Sequence, residues 1–131
     1  MLNRRILIAS LFGAAVIALN PMTVTAEETL GQGTFVGKSG HKTSGSVSIV
    51  KINEGIEVRF GSTFKLDSAP GPWLGFGNNG KYDNNSEFTK LNGSSGAQVY
   101  KVPGKVDVSK YSEFYVWCRP YGVPLGVAKL N

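Results

Sequence analysis

The chain has one cysteine, one histidine and two methionines, which leaves it short of the residues that build most redox and metal centres. A single cysteine, Cys118, cannot form an internal disulfide, so sheet pairing and burial must hold the domain together without the covalent staples common in small exported folds. A copper electron-transfer site needs two imidazoles and a thiolate, usually with a thioether nearby. Only His41 is available, and Met1 and Met22 both lie in the first 26 residues. A zinc site would receive half its usual ligands from His41 and Cys118. Covalent haem attachment lacks a Cys-x-x-Cys-His run. The expectation is therefore no metal and no resident cofactor. Hydrolytic chemistry would have only His41 as an imidazole base, and no paired carboxylates are marked out by spacing, so the sequence does not read as an enzyme.

Concentrated charge is also missing. The net charge is +5, but lysines from Lys38 to Lys129 are scattered along the chain instead of forming the basic stripe that tracks phosphates, so nucleic acid is not an expected partner. Asp83, Asn85 and Glu87 alternate as in a calcium loop. Phe88 and Ser94 replace the glycine and the bidentate glutamate of that pattern, which reads as a solvated turn.

What is present begins with an export pattern. Asn3, Arg4 and Arg5 precede an uncharged apolar run from Ile6 to Leu19, shorter than the about 20 residues a membrane span requires. Asn20 and Pro21 break it, and Val24-Thr25-Ala26 offers a signal-peptidase site. Residues 1–26 are expected to be a cleaved signal peptide and 27–131 one periplasmic or extracellular domain, with no membrane span after cleavage.

Beyond residue 26 helical spacing is absent, and short apolar or alternating runs recur between glycine, proline and asparagine clusters. Thr34–Val36, Ser46–Ile52, Ile56–Phe60, Phe64–Leu66, Trp73–Phe76, Ala97–Val102, Phe114–Cys118 and Leu125–Leu130 read as strands. The pattern predicts an all-β fold, a single antiparallel sandwich or barrel-like domain of about seven or eight short strands. Asn53-Glu54-Gly55 turns the second strand into the third as a hairpin. Pro70-Gly71-Pro72 is expected to stop ladder pairing. Gly77–Ser86 and Asn92–Gly96 are expected loops.

Phe114-Tyr115-Val116-Trp117-Cys118 is apolar or aromatic throughout, so both faces of this strand should be covered. Alternation sets Cys118 with Phe114 and Val116, and Tyr115 with Trp117 on the other face. Free cysteine usually packs as a small hydrophobe, which makes core filler the plain reading of Cys118. Arg119 next to it favours a thiolate and an apolar setting opposes one. A second possibility is a binding or envelope-associated structural domain in which Trp73, Tyr82, Tyr100 and Tyr121 offer an aromatic contact surface. His41, in Ser39–Gly45, is expected to cap a loop or lie on the surface.

The segments SGHKTSGSVSIV (Ser39–Val50), GFGNNGKYD (Gly75–Asp83), GAQVYKVP (Gly96–Pro103) and YVWCRPYGVPLGVAKL (Tyr115–Leu130) together resemble the DM-thirteen domain, the electron-transfer module that accompanies DOMON domains in Skeletor-type proteins. The most specific stretch is Trp117-Cys118 followed by Tyr121, Pro124, Gly126 and Ala128. The resemblance implies an extracytoplasmic β domain in which Cys118 is the redox residue, with Trp117, Tyr121 and His41 as candidate binding residues. Family members often carry an acidic residue in the segment occupied here by Pro70-Gly71-Pro72-Trp73, and this chain has none. A lone thiol is a poor carrier of single electrons, so its accessible chemistry is two-electron exchange or oxidation through sulfenic acid. The implied function is a redox-associated module that works with an unidentified extracytoplasmic redox or surface protein, or through a borrowed cofactor.

Overall fold

The computed structural model describes residues 26–131, so the expected leader, apart from Ala26, lies outside the described residues. The described residues form eleven strands: β1 (Glu28–Gly37), β2 (Thr43–Ser44), β3 (Ser46–Ile52), β4 (Gly55–Phe60), β5 (Lys65–Leu66), β6 (Pro72–Asn78), β7 (Lys81–Asp83), β8 (Thr89–Lys90), β9 (Gln98–Val102), β10 (Glu113–Cys118) and β11 (Val123–Lys129). Single 3-10 turns at Asn84–Ser86 and Val108–Lys110 are the helical elements among the described residues. The fold is all-β, as the turn spacing predicts. One antiparallel sheet runs β7-β6-β10-β11-β1-β3-β4-β9, β8 adds to β6, and β2 pairs with β5 in a small separate ladder.

The sheet is curled, and its aromatic residues show how far. β4 and β10 have β11, β1 and β3 between them in the sheet, yet the Phe60 and Phe114 rings meet edge to face at 5.9 Å. Phe35 lies against Phe60, Phe64 and Phe114 at 5.4–6.1 Å. Alternate residues of each strand fill this interior: Val47 and Ile49 from β3, Val58 and Phe60 from β4, Leu74 and Phe76 from β6, Phe114 and Val116 from β10. Tilted and edge-on ring pairs of this kind contribute beyond the area they remove from water.

β1 makes the curl possible. Its first part pairs with β3 from Glu28 to Thr34, and Phe35–Gly37 pairs with β11. A register shift between Thr29 and Gly31 leaves Leu30 as a bulge residue, the usual device for bending a strand. Gly33 lets the chains close on each other, since a Cβ there would stand 2.1 Å from the Lys129 carbonyl oxygen.

Three local expectations change. The first strand extends to Glu28–Gly37 instead of Thr34–Val36, because the glycines that hide its alternation are the residues that admit neighbouring backbone. Pro72 does not stop the ladder. It is the first residue of β6 and lies opposite Cys118, a position where a missing donor is tolerated. Gly77–Ser86 is not one loop, since Asn79 and Gly80, both at positive φ, turn β6 into β7. The β3–β4 hairpin forms as expected, with Ile52 opposite Gly55.

Candidate functional site

β10 organises the site because it is flanked by β6 and β11, and its two faces carry different chemistry. The inner face bears Phe114, Val116 and Cys118, all within the core, as the alternation predicts. Cys118 is 1% exposed. Its thiol donates to the Pro70 carbonyl at 3.3 Å. Pro70 and Gly71 are themselves exposed, so the sulfur is bonded to a segment that faces solvent. That segment is held by a hydrogen bond from the Arg119 N–H to the Gly71 carbonyl. Gly71 sits at φ +55°, and a Cβ there would meet the Pro120 ring at 2.6 Å. The thiol is thus closed off at a strand end beneath a tightly fitted Pro-Gly-Pro turn.

The outer face of β10 carries Glu113, Tyr115 and Trp117. They lie opposite Gly77, Gly75 and Trp73 of β6. The two glycines leave a trough that aromatic rings fill. A Cβ on Gly75 would fall 2.5 Å from the Tyr82 hydroxyl, and one on Gly77 would fall 2.8 Å from the Tyr115 ring. Tyr82 stacks flat on Trp117 at 4.2 Å between centroids with a 9° tilt, and meets Tyr115 at 5.3 Å. The Tyr82 hydroxyl donates to Glu87 at 2.8 Å, and the Tyr115 hydroxyl donates to Glu113 at 2.9 Å. Burial, then the carboxylate acceptor, pushes both phenols far above their ordinary range. The Arg119 guanidinium lies 3.8 Å over the Trp73 ring and its Nε is 3.0 Å from Glu87. Arg119 is therefore spent on a cation–π contact and an ion pair at the outer face.

The remaining candidates separate. Trp117 is half-buried in the outer cluster. Tyr121 is 74% exposed in the β10–β11 turn. His41 is half-buried in the β1–β2 loop, with its Nδ1 2.8 Å from an Asp67 carboxylate oxygen. The Lys42 backbone N–H donates to the other oxygen at 2.9 Å, and this bond, then His41, holds the Asp67 carboxyl below its usual range. Tyr100 leaves the expected aromatic surface. It is 5% exposed, packs on Phe60, and its hydroxyl is bonded to Gln98 and the Asn92 N–H.

The segment is not simply the solvated turn expected: the Glu87 side chain is 10% exposed and taken up by Tyr82 and Arg119. Asp83 caps the 3-10 turn through the Asn85 N–H and accepts from the Tyr111 hydroxyl, which raises the Tyr111 phenol to about 12. An open groove of about 990 Å³ runs over the outer face past Val36, Tyr115, Pro124 and Val127. Cys118 does not line it, so the groove gives no access to the thiol. Among the described residues no three His, Cys, Asp or Glu side chains come together as a metal-binding group. No described helix is long and apolar enough to cross a membrane.

The sequence sets Tyr115 and Trp117 on one face and marks Trp73 and Tyr82 as aromatic contact residues, but it does not bring the two pairs together with Glu87, Glu113 and Arg119. Glycines at alternate positions of one strand, Gly75 and Gly77, leave a hollow on one face, and Tyr82 follows within the same hairpin. No curated protein and no solved structure matches the chain. The family model described as Electron transfer DM13 matches residues 34–130, which takes in β2 to β11, the Pro70–Pro72 turn over the thiol and every residue of the aromatic cluster, and the chain belongs to that family.

Proposed function

We propose that this protein is an exported electron-transfer module, not an enzyme, that works through Cys118 on a partner protein outside the cytoplasm. The observation that carries the reading is the placement of Cys118 at the end of β10, with its thiol bonded to the carbonyl of exposed Pro70. On this reading displacement of Pro70 and Gly71, which precede the first paired residue of β6, is the route by which the sulfur is uncovered. Once uncovered, the Cys118 thiolate attacks a partner disulfide: a Cys118–partner S–S bond forms, the partner's own S–S bond breaks, and its second sulfur leaves as a thiolate. The basic start, apolar run and Ala26 site support export, and a mature protein beginning at Glu27 by intact mass is the expected result.

Alkylation of the native protein by iodoacetamide tests the thiol. The expected outcome is modification at Cys118, and a mixed disulfide with a small aromatic disulfide, both without denaturant and both abolished by Cys118→Ser. Reaction only where the sheet itself unfolds would overturn this reading. A second reading has its own observation. Cys118 is 1% exposed and packed with Phe114 and Val116, as a core-filling cysteine would be. In that case the domain is a binding or envelope-associated structural module.

A further inference from the structure

A thiol moves electrons in pairs, whereas the outer face of β10 holds groups suited to moving them singly. Tryptophan and tyrosine can each give up one electron. Tyrosine does so readily only if its phenolic proton has somewhere to go, because the protonated radical cation is a very strong acid. Tyr82 and Tyr115 each have that acceptor in place, at 2.8 Å on Glu87 and 2.9 Å on Glu113. Glu113 is held by the Gly80 N–H on the same oxygen, and Glu87 by Arg119, so neither acceptor is free to swing away. Tunnelling falls exponentially with distance, and Trp117–Tyr82 at 4.2 Å and Tyr82–Tyr115 at 5.3 Å between centroids are in van der Waals contact.

We propose that Trp117, Tyr82 and Tyr115 form a one-electron relay, entered from half-exposed Trp117 and ending on buried Tyr115, with Glu87 and Glu113 as its proton acceptors. A one-electron oxidant of the organic-radical or high-valent metal–oxo class, docked at the Trp117 edge, takes an electron from Trp117 and is itself reduced. Tyr82 passes an electron to the Trp117 radical cation and its proton to the Glu87 carboxylate, leaving a neutral tyrosyl radical. Tyr115 then passes an electron to Tyr82, which regains its proton from Glu87, while the Tyr115 proton moves to Glu113. Charge and protons balance at each step, and no proton leaves the protein. Trp73 is the cross-strand neighbour of Trp117 but is a poor entry point. The Arg119 cation 3.8 Å above its ring opposes a second positive charge there. Both phenols are protonated at neutral pH, and burial and the carboxylates raise them further, so electron and proton must leave together.

Flash oxidation of the full protein by photogenerated tris-bipyridyl ruthenium(III) tests the relay, with Tyr121→Phe as background because that exposed ring would react directly. Transient absorption is expected to show a tryptophanyl band decaying as a tyrosyl band rises. Tyr82→Phe should slow the tryptophanyl decay, leaving only the longer direct step from Tyr115, whose ring is 6.3 Å from that of Trp117. Glu87→Gln should slow its decay by about a hundredfold, the loss that accompanies removal of a positioned proton acceptor. Tyr115→Phe should keep the first step and change the hyperfine pattern of the trapped tyrosyl radical. An unchanged tryptophanyl decay in folded Tyr82→Phe, or in Glu87→Gln, overturns the proposal. The relay does not use Cys118, so the same traces are expected from Cys118→Ala. A radical yield that disappears with the cysteine assigns the electron to the thiol and overturns the relay, while failure of the alkylation test leaves it untouched.

Discussion

The two faces of β10 divide its six residues, three to each, and solve different problems. Inward, Phe114, Val116 and Cys118 meet apolar side chains brought round by the curl of the sheet, and the packing makes few polar demands beyond one thiol–carbonyl bond. Outward, Tyr115 and Trp117 lie in a trough floored by glycine, and polar tips are tied to carboxylates and a guanidinium. The inner face holds the fold by area removed from water. The outer face holds a fixed arrangement of ionisable and oxidisable groups around the buried Tyr115.

Truncation gives the widest separation between the faces. Phe114→Ala should destabilise the domain by about 3–5 kcal/mol, since the ring is fully buried at the meeting point of the two sheet halves. Trp117→Ala, half-exposed, should cost about 1–2 kcal/mol. Equal costs in urea denaturation would erase the distinction. Next comes the floor of the trough. Gly77→Ala drives a Cβ to 2.1 Å from the Lys81 carbonyl, a backbone atom of the β6–β7 hairpin, and should cost about 1–3 kcal/mol or more. Gly75→Ala meets the movable Tyr82 hydroxyl instead, so its main effect should be loss of the Tyr82–Trp117 stack, seen as a change in near-ultraviolet circular dichroism, with a smaller stability change.

Alkaline titration should single out the outer face. Tyr82 and Tyr115 have folded-state pKa values raised above the ordinary 10.0, so the folded protein holds these protons more tightly than the unfolded chain. The stability they confer is complete below pH 10 and is lost as pH rises beyond it. Tyr82→Phe should flatten that loss in thermal melts between neutral and strongly alkaline pH. An unchanged alkaline slope would mean that Tyr82 is not the group responsible. The smallest effect belongs to a region outside both faces. Asp67→Asn, at the exposed tie between the β1–β2 loop and β5, should remove a shallow acid-side loss of stability, since the lowered Asp67 pKa makes its contribution present above the ordinary carboxylate range and lost as pH falls through it.

Much of the inner face is legible in the sequence, because burial writes itself as alternation. Ser46 to Phe60 shows both the strands and which residues turn inward, and Phe114 to Cys118 shows a strand covered on both faces and which of its residues share a face. The outer face is harder to read, since its organisation depends on residues from β6, β7 and the Asn84–Ser86 turn meeting above a strand far along the chain. No local rule relates Gly75 to Tyr115, or Glu87 to Arg119. β1 is partly hidden for a related reason: Gly31, Gly33 and Gly37 look like breaks in a strand, yet Gly33 and Gly37 admit neighbouring backbone and Gly31 the Leu130 side chain. The covering of Cys118 by Pro70 is likewise a tertiary fact, set by β6 starting at Pro72.

The pairing of β1 with both β3 and β11 has a consequence for the order of events in folding. β1 is the first described strand and β11 the last, and Phe35 to Gly37 pair in the sheet with Gly126 to Ala128. Contacts so distant along the chain close slowly, because loop entropy is lost before the pairing repays it. The β3–β4 hairpin can form early, but the curled sheet cannot close until residue 128 is free to move. The joining of β1 to β11 is thus the late step that turns a set of separate hairpins into one closed interior.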